Sequence, residues 1–281
     1  MQKAPAKVNL TLRITGRRDD GYHTLESLIA FADLADELSF EPGQSLGLEV
    51  AGPFAAACGP SAQNLVIRAA AALAERVLAL KLGRFRLEKN IPAAAGLGGG
   101  SSDAAAALRL IAKANGIAPD DARLLAAAVS SGADVPVCLD PRARIVSGIG
   151  EELSAPVVIP ELPMVLVNPG LPLRTAQVFA HFDLRDMSKR PARGIPAERG
   201  LALDWLSRHA NDLTEAATAQ LPVIDEILMA LMAEPGCRVA RMSGSGATCF
   251  GLFETQPGAQ AAADKIRAAQ PQWWVYAGVV R

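Results

Sequence analysis

Four glycines in five positions, Gly96, Gly98, Gly99 and Gly100, sit inside the stretch NIPAAAGLGGGSSDAAAA at 90–107. They follow a short alternating run, Arg84 to Lys89, and precede an apolar pattern at helical spacing, Ala105, Leu108, Ile111 and Ala112. That order predicts a strand, a glycine loop and a helix start. Glycine lacks a Cβ, so such a loop can take positive φ and let a ligand approach its backbone N–H groups. Ser101, Ser102 and Asp103 suit an N-cap or first turn, and the N-terminus of the helix behind them would favour an anion such as a phosphate. The alternative is a glycine-rich turn that binds nothing. A P-loop would need Lys and then Ser or Thr after its last glycine, whereas Gly100 is followed by Ser101. A dinucleotide fingerprint counted from Gly96 would need Gly or Ala at 101.

The rest of the chain reads as a mixture of strands and helices. Val8, Leu10, Leu12 and Ile14 alternate with Lys7, Asn9, Thr11 and Arg13, which predicts a half-buried strand over 6–14 with Lys7 and Asn9 on one face. A turn, RRDDG, leads to a second strand over 22–31, and further strands are expected at 37–41 and 46–50. Asn64 can cap a helix running to about Leu82, with Gly83 as its stop. The proline-rich stretch from Pro156 is the best domain boundary, giving 1–155 and 156–281, with the last strand a candidate to return to the first domain. The second half predicts a strand at 164–167, a helix carrying Val178 and Phe179, a loop over 187–199, helices at 201–208 and 222–233, and a second Gly/Ser loop at 243–248. A strand over 249–253, an Ala-rich helix over 259–269 and a final strand over 274–280 close the chain.

Composition narrows the function classes. With 281 residues, half of them hydrophobic, the chain can bury two cores. Lys plus Arg total 28 against 29 for Asp plus Glu, so no global field recruits nucleic acid or an acidic membrane, and neither is expected as a partner. The four cysteines, Cys58, Cys138, Cys237 and Cys249, show no C-x-x-C spacing and read as reduced residues of a cytoplasmic protein. The start, MQKAPAKVNLTL, has no continuous apolar core of a signal peptide. Prolines interrupt the most membrane-like stretch, 153–173.

Three separated segments resemble the galactokinase, homoserine kinase, mevalonate kinase and phosphomevalonate kinase (GHMP) family in its usual motif order. They are PAKVNL at 5–10, the glycine loop at 92–102 and SGSGAT at 243–248. The loop is similar to the family's P-x-x-x-G-L-G-x-S-S, with an extra glycine at position 100 and Ala93-Ala94-Ala95 where many relatives have Met or Gly. The resemblance implies an α+β, two-domain GHMP-kinase-like fold with a mixed or antiparallel sheet and helices in each domain. ATP and a small-molecule substrate would meet in the cleft between the domains.

The same resemblance implies roles. ATP would be bound by Pro92, Ala93, Ala94, Ala95, Gly96, Leu97, Gly98, Gly99, Gly100, Ser101 and Ser102, and by Ser243, Gly244, Ser245 and Gly246 of the second loop. Asp134, in SGADVP, would be the base and Lys7 would offset charge on the transferring group. Magnesium would be held mainly by ATP oxygens, a serine and water, with no protein metal site. The GYH turn at 21–23 and SGADVP resemble the family members that phosphorylate the 2-hydroxyl of a cytidine diphosphate-linked methylerythritol in the non-mevalonate route to isoprenoid precursors. Tyr22 and His23 would then read the cytosine, Asn9 would bind substrate polar groups, and Phe179 would form a second wall; Thr175 is a weaker phosphate candidate.

Taken singly, Lys7 reads as a solvated strand residue, Asp134 as a turn or cap, and Tyr22 and Phe179 as core aromatics. The three motifs in order reverse the first two readings. The rivals are another small-molecule kinase of the family, of homoserine or mevalonate type, and a nucleotide-binding module without catalysis. The sequence is silent on oligomeric state.

Overall fold

The structure, a computed structural model, describes residues 1–43, 45–183 and 203–281. The loop expected at 187–199 lies outside the described residues. The chain forms two compact units that do not follow a single cut in the sequence. One comprises Met1–Lys7, Leu34–Ala93 and Gly98–Pro141; the other comprises Val8–Asp33, Ala94–Leu97 and Arg142–Arg281.

In the first unit, β5 (Gly83–Glu88) lies between the distal half of β3 (His23–Pro42), to which it is antiparallel, and β4 (Gly47–Ala51), to which it is parallel. Helices α1 (Leu65–Ala74), α2 (Gly99–Ala114), α3 (Ala122–Ser131) and α4 (Val135–Leu139) pack with one another. At the centre of α2, Ala104, Ala105, Ala106 and Ala107 are all fully buried, and their small side chains let the flanking helices come close. Side-chain caps set two starts: Asn64 accepts the Val66 N–H at 3.0 Å, and Asp121 accepts the Arg123 N–H at 2.8 Å.

In the second unit, the proximal half of β3 pairs with β2 (Arg13–Arg17) and with β6 (Arg144–Ser147), which pairs in turn with β7 (Glu152–Leu153). β11 (Trp274–Val280) runs antiparallel to β8 (Leu162–Asn168) over seven residue pairs and meets β3 at Val280 and Ala32. β10 (Cys249–Phe253) lies antiparallel between β8 and β9 (Cys237–Met242). The short α6 (Leu203–Ser207) packs on β9, while α5 (Thr175–His181), α7 (Thr214–Thr218), α8 (Val223–Met232) and α9 (Gln256–Ala269) supply Val178, Ala217, Ile224, Ile227, Ala263 and Ile266 to one core with Val165, Val167 and Phe253 of the sheet. The sheet is mixed, with helices packed in each unit, as the sequence implied.

Several local expectations change. The strand expected over 6–14 is two strands, β1 (Gln2–Asn9) and β2, because Leu10 and Thr11 both direct their N–H groups to one carbonyl, Leu28 O, as in a bulge. Nor is it half-buried: Lys7, Asn9 and Thr11 are about as enclosed as Val8 and Leu10. The strands expected at 22–31 and 37–41 are one strand, β3. Its apparent break, at Asp33 and Asp36, disappears because Asp33 Oδ1 accepts the Val279 N–H and Tyr276 Oη–H, while Asp36 is buried against Lys89. The first helix stops at Ala74 instead of running to Leu82. There Ala79 takes a φ of 55°, and the Asn115 side chain bonds both the N–H and the C=O of Lys81, leading the chain into β5.

Candidate active site

The glycine loop ends where α2 begins, and the N-cap residue there has no side chain with which to cap the helix. Gly98 is the N-cap, with φ 60° and ψ 17° in the left-handed region, and Gly99 and Gly100 form the first turn. Ser101 therefore stands in the first turn, half-buried, whereas Ser102 is fully buried one residue further on. A Cβ added at Gly98 would lie 3.0 Å from Cβ and 3.1 Å from Cε of Lys7, so the loop backbone rests directly on the Lys7 stem. At the end of that stem, Lys7 Nζ is 2.9 Å from Asp134 Oδ2. The Lys7 side chain is 6% exposed and the Asp134 side chain 41%. Asp134 occupies the N-cap position of α4 without bonding its backbone, which leaves the carboxylate accessible. Lys7, Asp134 and the start of α2, widely separated in sequence, are thus brought together within the first unit.

Beneath the same helix start is a second charged group that sequence reasoning missed. Lys89 Nζ bonds Asp36 Oδ2 and, at 2.7 Å, Asp103 Oδ2, with all three residues buried. Asp36 Oδ1 also accepts the N–H groups of Asn90 at 2.6 Å and Ile91 at 2.8 Å, the residues that open the loop. Burial pushes the Asp103 carboxyl up to about 8, against the pull of Lys89. For Lys89, burial works against the charge, yet Asp103 and Asp36 outweigh it and raise its pKa. Asp103, expected as a cap or first-turn residue, is instead an internal tie between α2 and Lys89, the residue that follows β5.

Of the loop residues before Gly98, Pro92 and Ala93 stay with the first unit and Ala94–Leu97 belong to the second. Ala94 takes a φ of 52° and is exposed, whereas Ala95 and Leu97 are buried. The second glycine loop closes against them: Thr248 N donates to Ala95 O at 3.1 Å, and Ser243 Oγ donates to Gly96 O at 3.1 Å. Gly96 takes a φ of 77°, and a Cβ there would meet Gly246 O at 2.5 Å. Ser243 is fully buried, and its hydroxyl also accepts the Asn9 N–H at 3.2 Å. Ser245 and Gly244 are half-buried, and Ser245 Oγ bonds Thr175 Oγ1 at 2.8 Å. Asn9 Nδ2 donates to Ser27 Oγ at 2.7 Å, leaving the buried Asn9 Oδ1 without a partner among the described residues.

An aromatic group forms at the other substrate candidates. The His23 ring lies 5.5 Å from Phe179 at 35°, and 6.1 Å from Phe182 at 85°. Phe182, three positions beyond Phe179, was not singled out in the sequence, although that helical spacing is its signal. Burial, with the Arg17 charge adding, lowers the His23 pKa, so the ring is neutral at pH 7 and carries one donor and one acceptor nitrogen. Tyr22 is 61% exposed on the turn and takes no part in the core. Among the described residues no cluster of three or more His, Cys, Asp or Glu side chains is placed to hold a metal ion. No described helix is long and apolar enough to cross a membrane.

Comparison with known proteins identifies the family. The description "GHMP kinases N terminal domain" matches residues 64–140, and "GHMP kinases C terminal" matches residues 196–272. The chain is 53% identical over 279 residues to the 4-diphosphocytidyl-2-C-methyl-D-erythritol kinase of Methylorubrum extorquens (strain PA1), covering 97% of this chain and 96% of that one. It is 51% identical over 290 residues to the enzyme of the same name from Bradyrhizobium diazoefficiens, covering 100% and 97%. The crystal structure of a 4-(cytidine 5'-diphospho)-2C-methyl-D-erythritol kinase matches with a TM-score of 0.80 at 37% identity, over 99% and 98% of the two chains. The L. major mevalonate kinase structure, at 16% identity and a TM-score of 0.64, shares the fold. With both family domains in chain order and identity above one half along almost its whole length, the chain belongs to the GHMP kinase family of ATP-dependent small-molecule kinases.

Proposed function

We propose that the protein transfers the γ-phosphoryl group of ATP to the 2-hydroxyl of 4-diphosphocytidyl-2-C-methyl-D-erythritol, and that it does so in the cytoplasm as a step toward isoprenoid precursors. The observation that carries the chemistry is the Lys7–Asp134 pair, held 2.9 Å apart with the Lys7 stem under the N-cap glycine of α2. Phosphoryl transfer requires an in-line triphosphate, stabilisation of its charge and an acceptor for the alcohol proton. Asp134, with an accessible carboxylate, takes the proton of the 2-hydroxyl as that oxygen bonds the γ-phosphorus and the bond to ADP breaks. Lys7 holds the carboxylate in place and offsets the negative charge that builds on the transferring group.

The two glycine loops, Pro92–Ser102 and Ser243–Gly246, hold the ATP phosphates through backbone N–H groups and the α2 N-terminus. Magnesium would be held mainly by ATP oxygens, with Ser101 and water as further donors, and would supply charge neutralisation at the phosphates. The cytosine is taken by Tyr22, His23 and Phe179, with the neutral imidazole able both to donate and to accept a hydrogen bond. The orphaned Asn9 Oδ1 accepts from a substrate hydroxyl. The names of the relatives at 53% and 51% identity support this substrate over homoserine or mevalonate.

The test is ATP turnover measured by coupled ADP release, with 4-diphosphocytidyl-2-C-methyl-D-erythritol, homoserine and mevalonate offered separately. Turnover with the first alone is expected. Turnover with either of the others at comparable kcat/KM would overturn the substrate assignment, and ATP binding without any turnover would favour the non-catalytic module.

A further inference from the structure

The segment Ala210–Leu213 carries no residue that a nucleotide motif would flag, yet it is hydrogen-bonded both to the chain that follows Asn9 and to the second glycine loop. Asn211 is 4% exposed, and its side-chain amide donates to Met242 O at 2.8 Å and to Gly244 O at 2.7 Å, across the entry of the second glycine loop. Its Oδ1 accepts the Leu213 N–H at 2.9 Å, so both ends of the amide are engaged and its orientation is fixed. On either side, Leu12 N donates to Ala210 O at 3.1 Å and Asp212 N donates to Leu12 O at 2.9 Å, and Asp212 Oδ2 accepts the Ile14 N–H at 2.9 Å. Arg241, which leads into the loop, donates to Leu10 O and to the carbonyls of Leu206 and His209.

These bonds join the backbone just after Asn9 to the backbone just before Gly244. Ser243 then completes the circuit, accepting the Asn9 N–H and donating to Gly96 O. A loop of Gly and Ser has no side-chain packing of its own to fix it, and a misplacement of about 1 Å at a reacting group can cost on the order of a hundredfold in rate. We infer that Asn211 is a positioning residue of this kinase, setting the second glycine loop against Gly96 by holding Met242 O and Gly244 O. The inference rests on the reading of that loop as part of the ATP site.

Asn211→Asp tests it, because the carboxylate keeps the acceptor for Leu213 N–H but removes both donors and faces two carbonyl oxygens instead. Thr214→Val is the comparison: it deletes the Thr214 Oγ1 bond to Asn211 O, 2.8 Å long, in the same segment without touching the loop. The expected result is a fall of at least tenfold in kcat/KM for ATP in Asn211→Asp, with the KM for the cytidylyl substrate within twofold of wild type. Thr214→Val should melt at lower temperature with unchanged kinetics. Wild-type ATP kinetics in Asn211→Asp, or losses in both variants that track only the folded fraction, would overturn the inference. If Asn211→Asp does not fold, Asn211→Ala, which removes both donors without setting a charge against the Met242 and Gly244 carbonyls, decides: it must show the same split between ATP and the second substrate, and an absent split refutes the positioning role. If the wild type turns over none of the substrates, the proposed function has failed. Equilibrium binding of a fluorescent ATP analogue to the same variants then reads the positioning role alone, a tenfold weakening supporting it and unchanged binding refuting it.

Discussion

Replacing Gly98 by alanine perturbs the point where the phosphate loop and the proposed catalytic pair touch. Gly98 has a φ of 60°, and an L-residue in the left-handed region costs about 1–2 kcal/mol. The new Cβ would also lie 3.0 Å from Cβ and 3.1 Å from Cε of Lys7, inside ordinary contact distance, and the stem cannot swing freely because Nζ is held by Asp134 at 2.9 Å. Overpacking of this kind adds roughly 1–3 kcal/mol. The sum, about 2–5 kcal/mol, corresponds to a fall of roughly 3–9 °C in melting temperature for a chain of this size. Relief of the contact moves either the α2 N-terminus or the Lys7 head by some tenths of an ångström, so kcat should fall at least about tenfold.

Gly100→Ala is the internal comparison. Gly100 is helical, and its nearest added contact is Leu65 Cδ1 at 3.4 Å, so this change should stabilise by up to about 1 kcal/mol through helix propensity. Circular dichroism melts and coupled turnover on the two variants read both signs. A Gly98→Ala protein that melts and turns over like wild type, or a Gly100→Ala protein destabilised as strongly as it, would refute the reasoning.

Other perturbations separate the roles of the site. Asp134→Ala should reduce kcat by about 10²–10⁴, the usual contribution of a general base, with ATP affinity within a few-fold of wild type by calorimetry; retained turnover would remove Asp134 from the mechanism. Tyr22→Ala and His23→Ala should raise the KM for the cytidylyl substrate at least about fivefold and leave that for ATP unchanged, since stacking contributes roughly 1–3 kcal/mol per base; equal effects on both substrates would place these residues outside the base pocket. Asp103, pushed up to about 8 from 3.8, keeps a proton in the folded protein that the unfolded chain loses near pH 4, so stability falls as pH rises between these values. Asp103→Asn removes that titration, and its melting temperature should vary less across the same interval; an identical slope would show that Asp103 does not titrate there.

The parts of the molecule legible in the sequence are those written in local pattern. The glycine loop between β5 and α2, the second loop between β9 and β10, and the C-terminal strand all depend on neighbours along the chain, and periodicity finds them. What stayed hidden depends on partners far apart. The Lys89 tie to Asp36 spans 53 positions, and the Asp212 carboxylate reaches Ile14 N across 198. No spacing rule pairs such residues, so two acids in β3 read as a break in a strand and Asn211 read as nothing at all. Burial misleads for the same reason. Lys7 and Asn9 look solvated because they are polar and alternate with Val8 and Leu10, yet both are enclosed, Lys7 through its bond to Asp134 and Asn9 through Ser27. The GHMP resemblance picked out Lys7 and Asp134 where pattern alone could not, since it records which distant segments work together.

The most direct test of the central claim is a phosphorus NMR analysis of the reaction of ATP with 4-diphosphocytidyl-2-C-methyl-D-erythritol, run on the wild type and on Asp134→Asn. The account predicts ADP together with a new phosphomonoester on the 2-hydroxyl for the wild type, and none above background for the variant, although the variant still binds ATP. The same phosphomonoester formed by Asp134→Asn at close to the wild-type rate, or a wild-type product phosphorylated at a different hydroxyl, would contradict it.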